Sequence, residues 1–243
     1  MSKLLSIPSL VFIAIISFFA SCSTTNSSIY IDELTQNPNK NTNNRLEHIT
    51  NLWVGHFSNK MSIEKGYADT NVEQEIIGRR IWKKNRFGEY WIYSGWFQAG
   101  AYESALSSSI AQITKVSPDT AFIAFYRIKD RVEVDAYEWQ KDEPFDNLKP
   151  SDLENCGEGC GSYLVREKDG SYRAIAKNPC YSPISAELKY YKIDAKLKKT
   201  SIVFNTKFLD EQLNVLVHYK DNTFFRFNKS ELEKKYENFA LAN

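Results

Sequence analysis

The chain has 243 residues, with 31 basic and 30 acidic side chains and a formal net charge of +1. That balance leaves no electrostatic footprint for nucleic acid, which a binder marks with a surplus of Lys and Arg. Hydrophobic residues make up 42% of the chain, enough for one sizeable core, and the three histidines (His48, His56, His218) are too scattered to suggest a shared metal site.

Residues 1–21 have the form of a signal peptide. Lys3 is a minimal basic n-region, and Leu10 to Ala20 is an apolar run interrupted only by Ser17. The run is short for a membrane span, which takes about 20 apolar residues, and has the length of a signal-peptide h-region. Phe19-Ala20-Ser21-Cys22 resembles a bacterial lipobox, so Cys22 is expected to be lipidated and to lead the mature chain. The alternatives are a secreted protein cut near Ala20 or an uncleaved signal anchor. The expected location is the cell envelope, lipid-anchored on the periplasmic face of the outer membrane, with Ser23 compatible with that sorting. Residues 22–43 are rich in Ser, Thr and Asn and behave as a disordered tether. A single domain is expected over 44–243.

Within that domain, Asn44-Arg45-Leu46-Glu47 has the cap-x-x-Glu form of a helix start, and Leu46, Ile49 and Trp53 fall at helical spacing. A short helix is predicted before Gly55. Strands follow: RRIWKKN and EYWIYSGWFQ around Arg86-Phe87-Gly88, then SSSIAQITKV and TAFIAFYRIK around Ser117-Pro118-Asp119. RVEVDAYEW alternates, with Val132, Val134 and Ala136 on one face, and predicts another strand. A hairpin is predicted around Lys168-Asp169-Gly170, Lys196 to Lys199 are expected in a solvated turn, and residues 199–227 supply at least two more strands. Ser230-Glu231-Leu232-Glu233 opens a predicted terminal helix.

Many short strands joined by tight turns predict an antiparallel meander. In Tyr90 to Phe97 both faces carry aromatics: Tyr90, Ile92 and Trp96 on one, Trp91, Tyr93 and Phe97 on the other. A wall buried outside and lining an interior explains that. The expected fold is mainly β, a calycin/lipocalin-like up-and-down barrel with a short helix at each end. Such an interior either holds a small elongated ligand or is filled by its own aromatics.

Beyond Cys22 the cysteines are Cys156, Cys160 and Cys180. Exported thiols pair. The C-x3-C spacing with a third cysteine twenty residues on does not match zinc sites, and no nearby His serves as base for a catalytic thiol. One disulfide and one odd cysteine are expected.

The succession LWVGHFSNK, GEYWIYSGWFQ, YRI, LKPSDLENCGEGCGSYLV, DGSYRAIAKNPC and a tail ending at Phe225-Arg226-Phe227 resembles the CpcT/CpeT family of chromophore lyases, over Leu52 to Phe227. The resemblance implies a calycin-like barrel, often dimeric. Known members bind a linear tetrapyrrole (a bilin) and deliver it to a cysteine of a phycobiliprotein. It also implies Cys160–Cys180 as the disulfide, with Cys156 as the extra, contributing roughly 3 kcal/mol through the unfolded state.

The departures from the family bear on chemistry. Where family lyases carry two arginines after the Trp-x-Tyr strand, this chain has Ser107 and Ser109. Guanidinium groups suit the bilin's two propionates; serines supply no counter-charge. The family's acidic position falls at Leu209, with Asp210 one residue along and so on the opposite face. Another acidic position falls at Gly95. No catalytic residue is assigned. Phycobilisomes are cytoplasmic-side assemblies, which an exported lipoprotein does not reach.

The expectation is therefore a lipoprotein binding a tetrapyrrole-like or other small hydrophobic ligand without the lyase chemistry. Trp91, Tyr93, Trp96, Phe97, Ser107, Ser109, Tyr126 and Arg127 are the candidate ligand contacts. The membrane through the anchor and a second copy in a homodimer are the other expected partners. The alternatives are an active bilin lyase and an envelope interaction protein with a filled barrel.

Overall fold

The computed structural model describes residues 40–66, 72–84, 86, 88–117, 120–181, 185, 187–219 and 226–229. The signal peptide, Cys22, most of the tether and the predicted terminal helix lie outside them. Helix α1 runs Lys40–Trp53, beginning at Lys40 rather than Asn44. After it come β1 (Gly55–Ser58), α2 (Lys60–Glu64), β2 (Gln74–Ile81), β3 (Trp91–Gln98), β4 (Ser107–Ser117) and β5 (Thr120–Ile128). Then follow β6 (Leu153–Asn155), β7 (Ser162–Arg166), β8 (Tyr172–Ala176), β9 (Cys180–Tyr181), β10 (Tyr190–Lys198), β11 (Ser201–Leu209), β12 (Val215–Tyr219) and β13 (Arg226–Lys229).

Ten strands close a ring in the order β11-β13-β1-β2-β3-β4-β5-β7-β8-β10, and β10 pairs back to β11. Every pairing is antiparallel. Strands β6, β9 and β12 hang on the rims, paired to β5, β10 and β11. This is the calycin/lipocalin-like barrel, and closure leaves no free edge around the ring.

Period-2 alternation sorts the wall into two cores. Inward, Ile76, Ile92, Ala111, Ile113, Ile123, Leu164, Leu197 and Ile202 form one cluster. Full burial of an aliphatic side chain contributes about 1.5–3 kcal/mol, so this cluster carries much of the fold. Outward, Ile77, Ile81, Trp91, Tyr93 and Phe97 meet Trp139, Phe145 and Leu148 from the long connection between β5 and β6. RVEVDAYEW belongs to that connection and forms no strand. Val132 and Val134 pack down on the outer wall while Ala136 is exposed. The alternation there records a segment lying flat on a barrel, without ladder bonds.

Helix α1 plugs one end. Leu46, Ile49, Leu52 and Trp53 join the inner core, and its C-terminus seats on β2 at Gly78, where a Cβ would stand 2.1 Å from the Trp53 carbonyl oxygen. Only glycine admits that approach. Lys196 to Lys198, expected in a turn, are the end of β10, and Lys196 pairs with Glu167 and Asp169 of the β7–β8 hairpin.

Candidate functional site

The barrel lumen keeps a cavity of ≈ 50 Å³ above the helical plug, room for about four waters at 10–15 Å³ each. Trp53 forms its floor. Ile76, Ile123, Ala174, Ala195 and Tyr191 line its walls, and Trp96, Phe204, Gly159, Cys160 and Cys180 stand toward the rim. Ser94, Trp96, Phe125, Ile193 and Phe204 face inward yet remain half-buried rather than buried. The cavity therefore opens at the end opposite the helix.

The rim has two fixed sides. The indole of Trp96 stacks on Phe204 (centroids 6.2 Å apart, planes 19° apart) and meets Phe227 edge-on. Its Nε1 donates to Gln74 Oε1 at 3.2 Å. Opposite, Cys160 and Cys180 form a disulfide with Cα atoms 4.4 Å apart, within the usual range. Gly159 precedes it, with space for a Cβ blocked by the Pro179 carbonyl at 2.3 Å. Cys156, expected as an odd thiol, is disulfide-bonded as well, and its partner lies outside the described residues.

One wall of the lumen is polar. Ser94 lies directly opposite Ser109 and Trp96 opposite Ser107 on β3 and β4, and Ser162 adds a fourth hydroxyl from β7. None of these four hydroxyls hydrogen-bonds to a described residue, and none is an enclosed unpartnered atom. They present their donors and acceptors to the cavity. No described Asp, Glu, Lys, Arg or His lines it. Burial pushes the phenol of Tyr191 well above its ordinary value, so it stays neutral. Among the described residues the lumen offers an apolar surface and neutral hydrogen-bonding groups, and no carboxylate or imidazole for general acid–base work.

Of the predicted contacts, Trp96, Ser107 and Ser109 line the cavity. Trp91, Tyr93, Phe97 and Tyr126 do not: they point outward. Trp91 packs on Trp82 and Tyr126 at 5.1 and 5.4 Å, Tyr93 on Phe145 at 4.6 Å, and Phe97 on Trp139 at 5.7 Å. Burial raises the pKa of both tyrosines, against a smaller opposing hydrogen bond from Asn155 at Tyr126. Arg127 is held by Glu154 and does not reach the lumen. Leu209 is buried beside the β-bulge of β11 and does not line the cavity. Gly95 faces outward, against Phe97 and Tyr93, so an acid there would not face the lumen. Asp210 caps the β11–β12 turn, accepting from Asn214 N at 2.8 Å.

Ser94, Ser162, Phe204 and Ile193 are lining residues that the sequence pattern left unassigned. Ser94 was reachable, two residues before Trp96 on the same face of β3. Ser162 and Phe204 become neighbours only through ring closure.

No family model matches the chain, and no curated protein does. Among solved structures, the selenomethionine CRL protein of Arabidopsis is similar, with a TM-score of 0.55 and 11% sequence identity over 77% of this chain and 98% of that one. At that identity the likeness is one of fold.

Proposed function

We propose that this protein is a non-catalytic binding barrel of CpcT/CpeT descent that holds a slender uncharged apolar ligand. The observation that carries this is the lumen itself: among the described residues, apolar walls, no ionisable charge, and four serine hydroxyls without a partner. A ligand with a long apolar body and one neutral polar group, such as a hydroxyl, carbonyl or ester, suits that wall, and its entry requires Trp96 and Phe204 to part, because the ≈ 50 Å³ present is below the volume of a ligand pocket. The Cys160–Cys180 bridge and the closed barrel support the family descent.

The lyase reading is weaker. Two propionates would enter a lumen without a cation, and the cavity is narrow for four pyrrole rings unless Trp96 and Phe204 part. The pair of probes that tests this is neutral N-phenyl-1-naphthylamine and dianionic biliverdin, each titrated into the full chain. Saturable one-to-one enhancement of naphthylamine fluorescence, without a bound biliverdin band, is expected. A biliverdin absorption band lost on unfolding returns the lyase reading, and binding of neither probe defeats the ligand-binding proposal.

A further inference from the structure

The β11–β12 hairpin ends at the open rim of the barrel, where Leu209 pairs with Tyr190 and Tyr191 pairs with the cavity-lining Cys180. Its turn is polar apart from Leu213, and Leu213 with Val215 and Leu216 at the start of β12 forms a small solvent-facing apolar group, 49%, 50% and 47% exposed. Tyr181 on the adjoining rim strand is 41% exposed and packs edge-on to Tyr190. Leu213 holds φ 65°, a left-handed conformation costly for a branched side chain, and such outliers cluster where a segment does something other than stabilise the fold.

Behind the tip lies a pair of lysines: Lys192 and Lys207 stand directly opposite one another across β10 and β11, with His218, whose Nε2 lies 2.9 Å from Asn205 Oδ1, opposite Lys207 on β12. Like charges in register repel at about 5 Å, and neither lysine pairs with an acid among the described residues. Asp194, next along that face, is engaged by the Ala176 N–H. The pair sits about 10 Å behind Val215, at ~3.4 Å per residue over three residues.

Apolar group, aromatic neighbour and a basic pair about 10 Å behind form the profile of an interfacial anchor, which buries its apolar side about 5–10 Å into the headgroup boundary and sets its lysines among anionic lipids. We infer that the β11–β12 hairpin docks the barrel, mouth down, on an anionic bilayer surface. Docking places the rim against the lipid phase, where an apolar guest enters or leaves without crossing water. The surface stands on the hairpin alone, whatever the lumen holds. Asp210 and Glu211 in the turn both oppose the docking, and Glu211 is the exposed one of the two.

The test is hydrogen–deuterium exchange of the full chain on vesicles of phosphatidylglycerol with phosphatidylcholine, against phosphatidylcholine alone and against solution. The N-terminal segment is common to every sample, so the comparison between the two lipids reads the hairpin. Amides of 211–216 are expected to slow severalfold on the anionic vesicles, while the β10–β11 turn at 199–200 does not. Lys192→Gln with Lys207→Gln should abolish the slowing, Leu213→Ser with Leu216→Ser should reduce it, and Glu211→Gln should deepen it. These side chains are exposed or at the wall's outer face, and the ellipticity of each variant checks its fold. No slowing at 211–216, slowing equal on both lipids, or slowing without vesicles that grows with protein concentration would overturn the inference, the last assigning the hairpin to a second copy.

Discussion

Arg127 sets both its Nε and its Nη2 on Oε2 of Glu154, at 2.9 and 2.6 Å. The pair joins β5 to the rim strand β6 and engages a cation that stands at an inward-parity position of β5. A guanidinium so held is a brace for the rim and leaves the lumen uncharged.

Glu154→Gln is therefore expected to cost about 1 kcal/mol of stability, the scale of a partly exposed ion pair, and to leave naphthylamine affinity unchanged. Denaturant titration and a binding isotherm on the same variant check this. A fall in affinity with stability intact would place Arg127 in the site.

Gly78 carries the seat of the helical plug. Gly78→Ala drives a methyl into the Trp53 carbonyl, and overpacking of this kind costs about 1–3 kcal/mol. Since the clash is with backbone, the upper part of that range is expected in urea unfolding. An unchanged midpoint would mean that α1 does not close the barrel at this contact.

Glu75 couples stability to pH from the outer wall. Burial would raise its pKa, but the hydrogen bonds from His56 and Tyr102 outweigh burial and hold the carboxyl below its ordinary value. His56 Nε2 lies 3.1 Å from Glu75 Oε2, with both side chains almost fully buried. With the folded value below the unfolded one, about 4.3, the ionised form favours folding. Its contribution is whole above the unfolded value and disappears as pH falls through the folded one. Glu75→Gln should flatten the acid limb of the stability–pH curve below about pH 5. An unaltered acid limb would contradict this assignment.

The Cys160–Cys180 bridge closes a loop with a sequence separation of 20, worth about 3 kcal/mol through the unfolded chain. The double variant Cys160→Ser with Cys180→Ser should lose that much in denaturant unfolding. It should also speed release of the lumen probe, because the bridge is one side of the rim. Stability falling with an unchanged off-rate would remove the bridge from the mouth.

The architecture was legible because β3 carries aromatics on both faces, which only a wall between two cores accommodates. Which face looked inward was not legible. Trp91 and Tyr93 have the same chemistry as Trp96, and the outer lid of Trp139, Phe145 and Leu148 begins in a stretch whose alternation resembled a strand and continues past it. Period-2 patterning labels the two faces of a strand without naming the interior. Strand β10 shows the opposite case: Tyr191, Ile193, Ala195 and Leu197 alternate with charged residues, a signal present in the sequence and absent from the predicted elements. The serine wall was half visible, since Ser107 and Ser109 drew notice for the arginines they replace. Their role as unengaged hydroxyls needed Ser94 and Ser162 beside them, and ring closure supplies that.

The most direct test of a ligand-holding lumen is the naphthylamine dissociation constant of Ala174→Leu and Ala195→Leu, measured beside Val165→Leu. Ala174 and Ala195 face each other in register and both line the cavity, while Val165 is exposed on the outer wall. Filling the lumen should weaken binding at least about tenfold, or 1.4 kcal/mol, with the Val165 variant unchanged. Undiminished affinity in both lumen variants, with the fold intact, would contradict the account and move the ligand off the barrel interior.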